Sequence, residues 1–134
     1  MASRFTEIVV DCHDTEAQAV FWAAVLGYRV VDSSDGDVEI APLEYEPADF
    51  AEQVRRAPTA PTLVFQHVAE GKTVKNRLHI DVNPIDRTQE AEVERLIALG
   101  ARHVDIGQGE QSWVVLADPE GNEFCVLRSL AVDR

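Results

Sequence analysis

The feature that most constrains this chain is that its order of elements runs twice. Each run opens with a strand, passes into an amphipathic helix closed by glycine, and finishes with three strands. In the first run a strand is expected over 5–11, and a helix starts at Asp14 or Thr15 and ends at Gly27. Thr15 with Gln18 fits a capping box, and Ala17, Val20, Phe21 and Ala24 recur at helical spacing. Strands follow over 28–31 and 37–42 around Ser33-Ser34-Asp35-Gly36, and over 62–68. The second run has a strand over 77–82, a capping box of Asp86 and Gln89, and an apolar helix face of Val93, Leu96 and Ile97 ended by Gly100. Strands over 101–106, 112–117 and 122–127 complete it. Glu7 to Gly27 spans 20 positions and His79 to Gly100 spans 21, and Ala41-Pro42 echoes Ala117-Asp118-Pro119. Agreement in both order and length marks a repeat. The predicted fold class is α+β: two βαβββ modules forming a curved mixed or antiparallel sheet around a cup, with the helices on its convex face. One domain over 1–134 is expected, with module one at about 4–68, a linker at 69–76 and module two at 77–130.

Charge narrows the partners. The chain carries 24 acidic against 12 basic residues, a net −12. Neutralising phosphates needs clustered Lys and Arg, so nucleic acid and anionic membranes are not expected partners. Apolar runs such as 17–26 are too short to span a bilayer, and the N-terminus has no apolar signal-peptide core. A cytoplasmic location is the expectation. Cys12 and Cys125 lack CxxC spacing and are expected to be reduced and buried.

Alternation along the strands separates two faces. Ile8, Val10, Leu63, Phe65, Leu78, Ile80, Val82, Phe124 and Val126 share one, which should pack on the helices. The other mixes Glu7, Val9, Val64, Gln66, Arg77, His79, Asp81, Glu123 and Cys125. It reads as a solvated face or as a polar-lined cup. Its polar groups lie mid-strand on strands that would pair centrally, which favours the cup. The 43–61 segment interrupts the first run with three prolines and one or two helical turns near 49–55, and is a candidate pocket wall. Its Tyr45 and Phe50 would close over a ligand or pin the loop to the body. Trp22 is expected in the core, and Trp113 in the cup or in a dimer contact.

Several motifs now combine. Val9-Val10-Asp11-Cys12 and the helix end Phe21-Trp22…Leu26-Gly27-Tyr28 open the first module. Asn76-Arg77-Leu78-His79-Ile80-Asp81 opens the second, and Trp113…Asp118-Pro119-Glu120-Gly121-Asn122-Glu123-Phe124 closes it. The chain thereby resembles the glyoxalase/bleomycin resistance/extradiol dioxygenase (vicinal oxygen chelate) superfamily, glyoxalase-like subgroup, over essentially its whole length. The resemblance implies paired modules around one cavity, homodimerisation, and in metal-using members four strand positions that ligate one divalent ion. Those positions carry Glu7, Gln66 and His79 here, with Cys125 standing where the family has glutamate. Oxygen and nitrogen donors suit Mn²⁺, Ni²⁺ or Fe²⁺, and a thiolate shifts preference toward Zn²⁺. Alternatively, Glu7 and His79 form a hydrogen-bonded pair and Cys125 is a small buried hydrophobe.

Two functions follow and both stay open. One is a metal-assisted lyase, isomerase or dioxygenase in which Glu7 and His79 are the catalytic candidates. The other is a metal-free protein that binds or sequesters a small organic molecule, as bleomycin-resistance proteins do. In both, Gln66, Arg77, Trp113, Glu123, Cys125, Tyr45 and Phe50 are the candidate ligand contacts.

Overall fold

The computed structural model describes residues 2–107, 109 and 111–132. The chain divides into two compact units, the first ending at Gly71 and the second beginning at Lys72. The first contains β1 (Glu7–Cys12), α1 (Thr15–Leu26), β2 (Tyr28–Ser34), β3 (Asp37–Pro42), α2 (Phe50–Arg56) and β4 (Thr62–His67). Its sheet runs β1-β4-β3-β2, with β1 parallel to β4 and the other pairs antiparallel. The second contains β5 (Asp81–Val82), α3 (Gln89–Leu99), β6 (Arg102–His103), β7 (Val114–Ala117) and β8 (Glu123–Val126). Its sheet runs β5-β8-β7-β6, again with the first pair parallel and the rest antiparallel. Each unit therefore has the βαβββ order read from the sequence, and the two strand orders correspond position by position.

In the first unit α1 packs on β2, β3 and β4. The core there is Cys12, Ala19, Phe21, Trp22, Val38, Ile40, Ala41, Leu63 and Phe65. Asp14 caps the helix by accepting from the Ala17 N–H at 3.0 Å, and the Gly27 N–H closes it onto the Ala23 carbonyl. Asp14 therefore takes the capping role, not a Thr15–Gln18 box. The helix face differs in part from the one expected. Phe21 is buried as expected, and Thr15, Gln18, Ala19 and Trp22 are buried with it, whereas Val20 is 67% exposed. Thr15 Oγ1 donates to the Gly36 carbonyl at 2.6 Å, which turns that side of the helix toward the β2–β3 hairpin.

The second unit buries Leu96, Ala101, Val115, Leu116, Ala117, Phe124 and Val126. Thr88, not Asp86, caps α3, accepting from the Ala91 N–H at 3.1 Å. Gln89 instead reaches the Ser112 and Val126 carbonyls. The strand expected over 77–82 shortens to Asp81–Val82, and Leu78 is 89% exposed where a buried side chain was expected. The cause is local. The Asn76 N–H donates to the Glu123 carboxylate, so the chain enters the backbone ladder only at Ile80, whose carbonyl accepts the Cys125 N–H. The sixth strand likewise covers only Arg102–His103, and Ile97 on α3 is exposed. No helix among the described residues is long and apolar enough to cross a membrane.

Candidate functional site

The register of the second sheet decides which side chains meet. Asp81 pairs with Cys125 across β5 and β8, and Val115 pairs with Cys125 across β7 and β8. Residues two apart along a strand share a face. Asp81, Glu123, Cys125 and Val115 therefore project to the same side of the sheet, and His79 and Trp113 lie just outside the ends of β5 and β7. Together they line, with Lys75, Ile106 and Leu127, a pocket with a cavity volume of about 310 Å³. Ile106, Trp113, Val115 and Leu127 give the lining its apolar surface. Trp113 remains 37% exposed, so part of its ring surface is open to solvent. The remaining lining is polar.

Asp81 organises that polar end. Its Oδ1 lies 2.9 Å from His79 Nδ1. An ionised carboxylate only accepts, so in this pair Nδ1 is the donor and Nε2 is the ring nitrogen turned to other partners. Asp81 also accepts from the Cys125 thiol. Burial pushes the Cys125 thiol above its ordinary pKa, and the charge and hydrogen bond of Asp81 raise it further, with Lys75 opposing. The donor atoms of His79, Asp81 and Cys125 all lie within 4.8 Å of one another.

Glu123 has a different task. Its carboxylate accepts from Lys72 Nζ and from the Asn76 N–H, both at 2.9 Å. Burial alone would raise its pKa, but those two donors outweigh burial and hold it below the ordinary glutamate value. It fixes the entry of β5 with both oxygens engaged.

The structure places the other expected residues as follows. Arg77 is exposed and lies outside the pocket lining. Glu7 and Gln66 stand on neighbouring parallel strands of the first unit, but Glu7 pairs with Thr62 and Gln66 pairs with Asp11. Four residues separate them along the strands, roughly 13 Å. An ion shared by both would need the two side chains laid flat along the sheet toward each other. Tyr45 and Phe50 contact each other, with ring centroids 5.3 Å apart. Arg29 donates to the Leu43 and Tyr45 carbonyls, so this segment is pinned to β2. Burial raises the Tyr45 hydroxyl pKa, and Glu39 and Glu7 add to it. Cys12 and Cys125 are both free and buried, as expected.

Asp81 is the residue that sequence reasoning did not select. The signal was present: Asp81 lies two positions from His79, on the same mixed face. The four-position pattern of the family, carried here by Glu7, Gln66, His79 and Cys125, does not include it.

Comparison with known proteins completes the picture. The profile of a family described as Glyoxalase-like domain matches residues 7–127. No curated protein matches the chain in sequence. Among solved structures, a glyoxalase/bleomycin resistance protein/dioxygenase family enzyme from Burkholderia phytofirmans PsJN superposes with a TM-score of 0.61 at 19% identity, covering 92% of this chain and 97% of that one. The fosfomycin resistance protein FosX from Mesorhizobium loti gives 0.65 at 14% identity, covering 95% and 92%. FosX from Listeria monocytogenes, solved with Mn(II) and 1S,2S-dihydroxypropylphosphonic acid, gives 0.61 at 14%, covering 96% and 92%. At such identities the likeness is one of fold.

Proposed function

The chain belongs to the glyoxalase-like domain family, and from that premise we propose that it binds a small, partly apolar, oxygenated organic molecule in the pocket of its second unit. The observation that carries this reading is the mixed lining, in which the apolar Trp113, Ile106, Val115 and Leu127 meet the polar Lys75, His79 and Asp81 in one pocket. A concave site with an apolar body and a few convergent polar groups is the usual form of a small-molecule site. The exposed part of the Trp113 ring would stack on the apolar part of the ligand and exclude water. Lys75 at the rim would attract an anionic oxygen, and the Asp81-oriented His79 would hydrogen-bond an oxygen function.

A metal-assisted lyase, isomerase or dioxygenase is the second reading, and the His79–Asp81–Cys125 group favours it. Its nitrogen, oxygen and sulfur donors fit a divalent ion, and when bound that ion would polarise a substrate oxygen as a Lewis acid. One relative in fold was solved with Mn(II) and a small phosphonic acid, which supports both readings.

The test is a thermal-shift screen of aromatic and aliphatic carboxylic acids, hydroxy acids, catechols and phosphonates, run first without added metal. A hit at about one hundred times its Kd should stabilise the fold by about 2.7 kcal/mol. The shift should shrink in Trp113→Ala and in Lys75→Ala. A screen without a stabilising compound, or hits indifferent to Trp113→Ala, would overturn the pocket reading.

A further inference from the structure

We infer that the second unit by itself carries a soft divalent-metal site made of His79, Asp81 and Cys125, with zinc(II) or cobalt(II) as the preferred ion. This goes beyond the pocket reading and does not depend on it. It also departs from the donor set that the family resemblance implies, because it uses neither Glu7 nor Gln66.

The first argument is register. Asp81 and Cys125 are direct partners on adjacent parallel strands, roughly 4.8 Å apart along the hydrogen-bonding direction. His79 lies two residues before Asp81, just outside β5, and the three donor atoms lie within 4.8 Å of one another. Around a tetrahedral zinc ion, ligand atoms sit about 3.3–3.8 Å apart. Small χ rotations therefore close the set without moving the backbone.

The second argument is chemical. The three side chains are joined through hydrogens, with the Asp81 carboxylate accepting from His79 Nδ1 and from the Cys125 thiol. An ion would take the place of those hydrogens and keep the same three heavy atoms together. Imidazole, carboxylate and thiolate on one ion is a donor set for zinc and cobalt, not for magnesium or calcium. The nearby carboxylate that might have supplied an oxygen-rich alternative, Glu123, is engaged by Lys72 and by the Asn76 N–H.

The third argument is position. The three residues line the pocket beside Trp113 and Lys75. Three protein donors leave a fourth coordination position, which solvent or a ligand oxygen would fill. Glu7 and Gln66, by contrast, are displaced by four positions along β1 and β4.

Cobalt(II) titration of the full, chelator-treated chain reads the site directly. A thiolate-bound cobalt gives a near-ultraviolet charge-transfer band that an oxygen and nitrogen site lacks, so the readout does not depend on activity. The expected result is such a band saturating at one ion per chain and abolished by stoichiometric zinc. Cys125→Ser should remove the band, and Asp81→Asn and His79→Ala should weaken affinity on the order of tenfold or more. Glu7→Gln, Gln66→Ala and Cys12→Ser should leave it unchanged. Near-ultraviolet circular dichroism confirms that each variant is folded, and Asp81→Asn alters the fewest packing atoms should Cys125→Ser unfold. Absence of the band in the parent chain would overturn the inference. So would loss of cobalt binding in Glu7→Gln, because Glu7 is not one of the three proposed ligands. Neither outcome bears on whether a metal-free ligand seats against Trp113.

Discussion

At the scale of single residues, hydrogen bonds and charge placement decide more than residue type. The Tyr28 hydroxyl donates to the Pro61 carbonyl at 2.8 Å and ties β2 to the start of β4. Burial raises its pKa above 10.0, and Glu44 adds to the shift. The folded state then keeps the phenolic proton after the unfolded chain has released it. Tyr28 therefore contributes stability that is full below about pH 10 and is lost as pH rises through its folded value. Tyr28→Phe should cost about 1 kcal/mol at neutral pH by leaving the Pro61 carbonyl without this donor. It should also flatten the decline in stability above pH 10, as read by urea unfolding across the alkaline range. An unchanged alkaline slope would count against the assignment. The same scale limits what sequence can disclose. Alternation places His79, Asp81, Glu123 and Cys125 on one mixed face, and all four line one pocket, together with Trp113, for which the sequence leaves the cup and a dimer contact both open. The engagement of Glu123 with Lys72, 51 residues away, and with the Asn76 N–H, 47 residues away, leaves no local pattern to read. Asp81 had a local signal, and its importance rests on a pairing with Cys125 that only the sheet register reveals.

At the scale of elements, the turn between β7 and β8 is the best-specified piece of the second unit. Asp118 is buried, and its carboxylate accepts from the Glu120 N–H and the Asn122 N–H at 2.9 Å and from the Asn122 amide. Gly121 completes the turn at φ 90°, where a side chain would be strained. Asp118→Ala should destabilise by about 2–4 kcal/mol, because it leaves buried N–H groups unpaired. Asp118→Asn should recover part of that loss, since the amide oxygen still accepts. Denaturant midpoints of the two variants check the order, and equal midpoints would sink the argument. This turn was legible because its polar residues act on their own neighbours in sequence. The helix faces were less so. On α1 the period of 3.6 was correct and Phe21 is buried as expected, but the buried face is centred on Gln18, Ala19 and Trp22 and leaves Val20 outside, while the Thr15 hydroxyl bonds the Gly36 carbonyl on the inward side. Strand lengths were also less legible. Hydrophobic alternation continues through 77–80, but the backbone ladder does not, and just before it the Asn76 N–H donates to the Glu123 side chain and not to a strand carbonyl.

At the scale of the whole molecule, the repeat was the most legible property, because element order and spacing survive errors of phase or boundary. The equivalent strand orders β1-β4-β3-β2 and β5-β8-β7-β6 express it in three dimensions. Sequence disguised the equivalence chiefly by placing α2 between β3 and β4 in one copy alone. Charge is the other property that belongs to the chain as a whole. With 24 acidic and 12 basic residues the net charge is −12, since 24 − 12 = 12. Among the described residues, acids such as Glu7 and Glu39 act together on the Tyr45 hydroxyl, a local sign of that excess. Unfolding spreads the charges apart, so self-repulsion opposes the folded state more than the unfolded one. Added salt shortens the screening length from about 30 Å at 0.01 M to about 10 Å at 0.1 M. The exposed ion pairs weakened by the same salt, such as Arg56–Glu52, contribute little. Repulsion should therefore dominate, and Tm should rise by a few degrees between 0.01 and 0.2 M salt. Sodium chloride and choline chloride should act alike if screening is the cause. A Tm that falls with salt would show that specific ion pairs outweigh net charge, and a rise with only one cation would point to binding in place of screening.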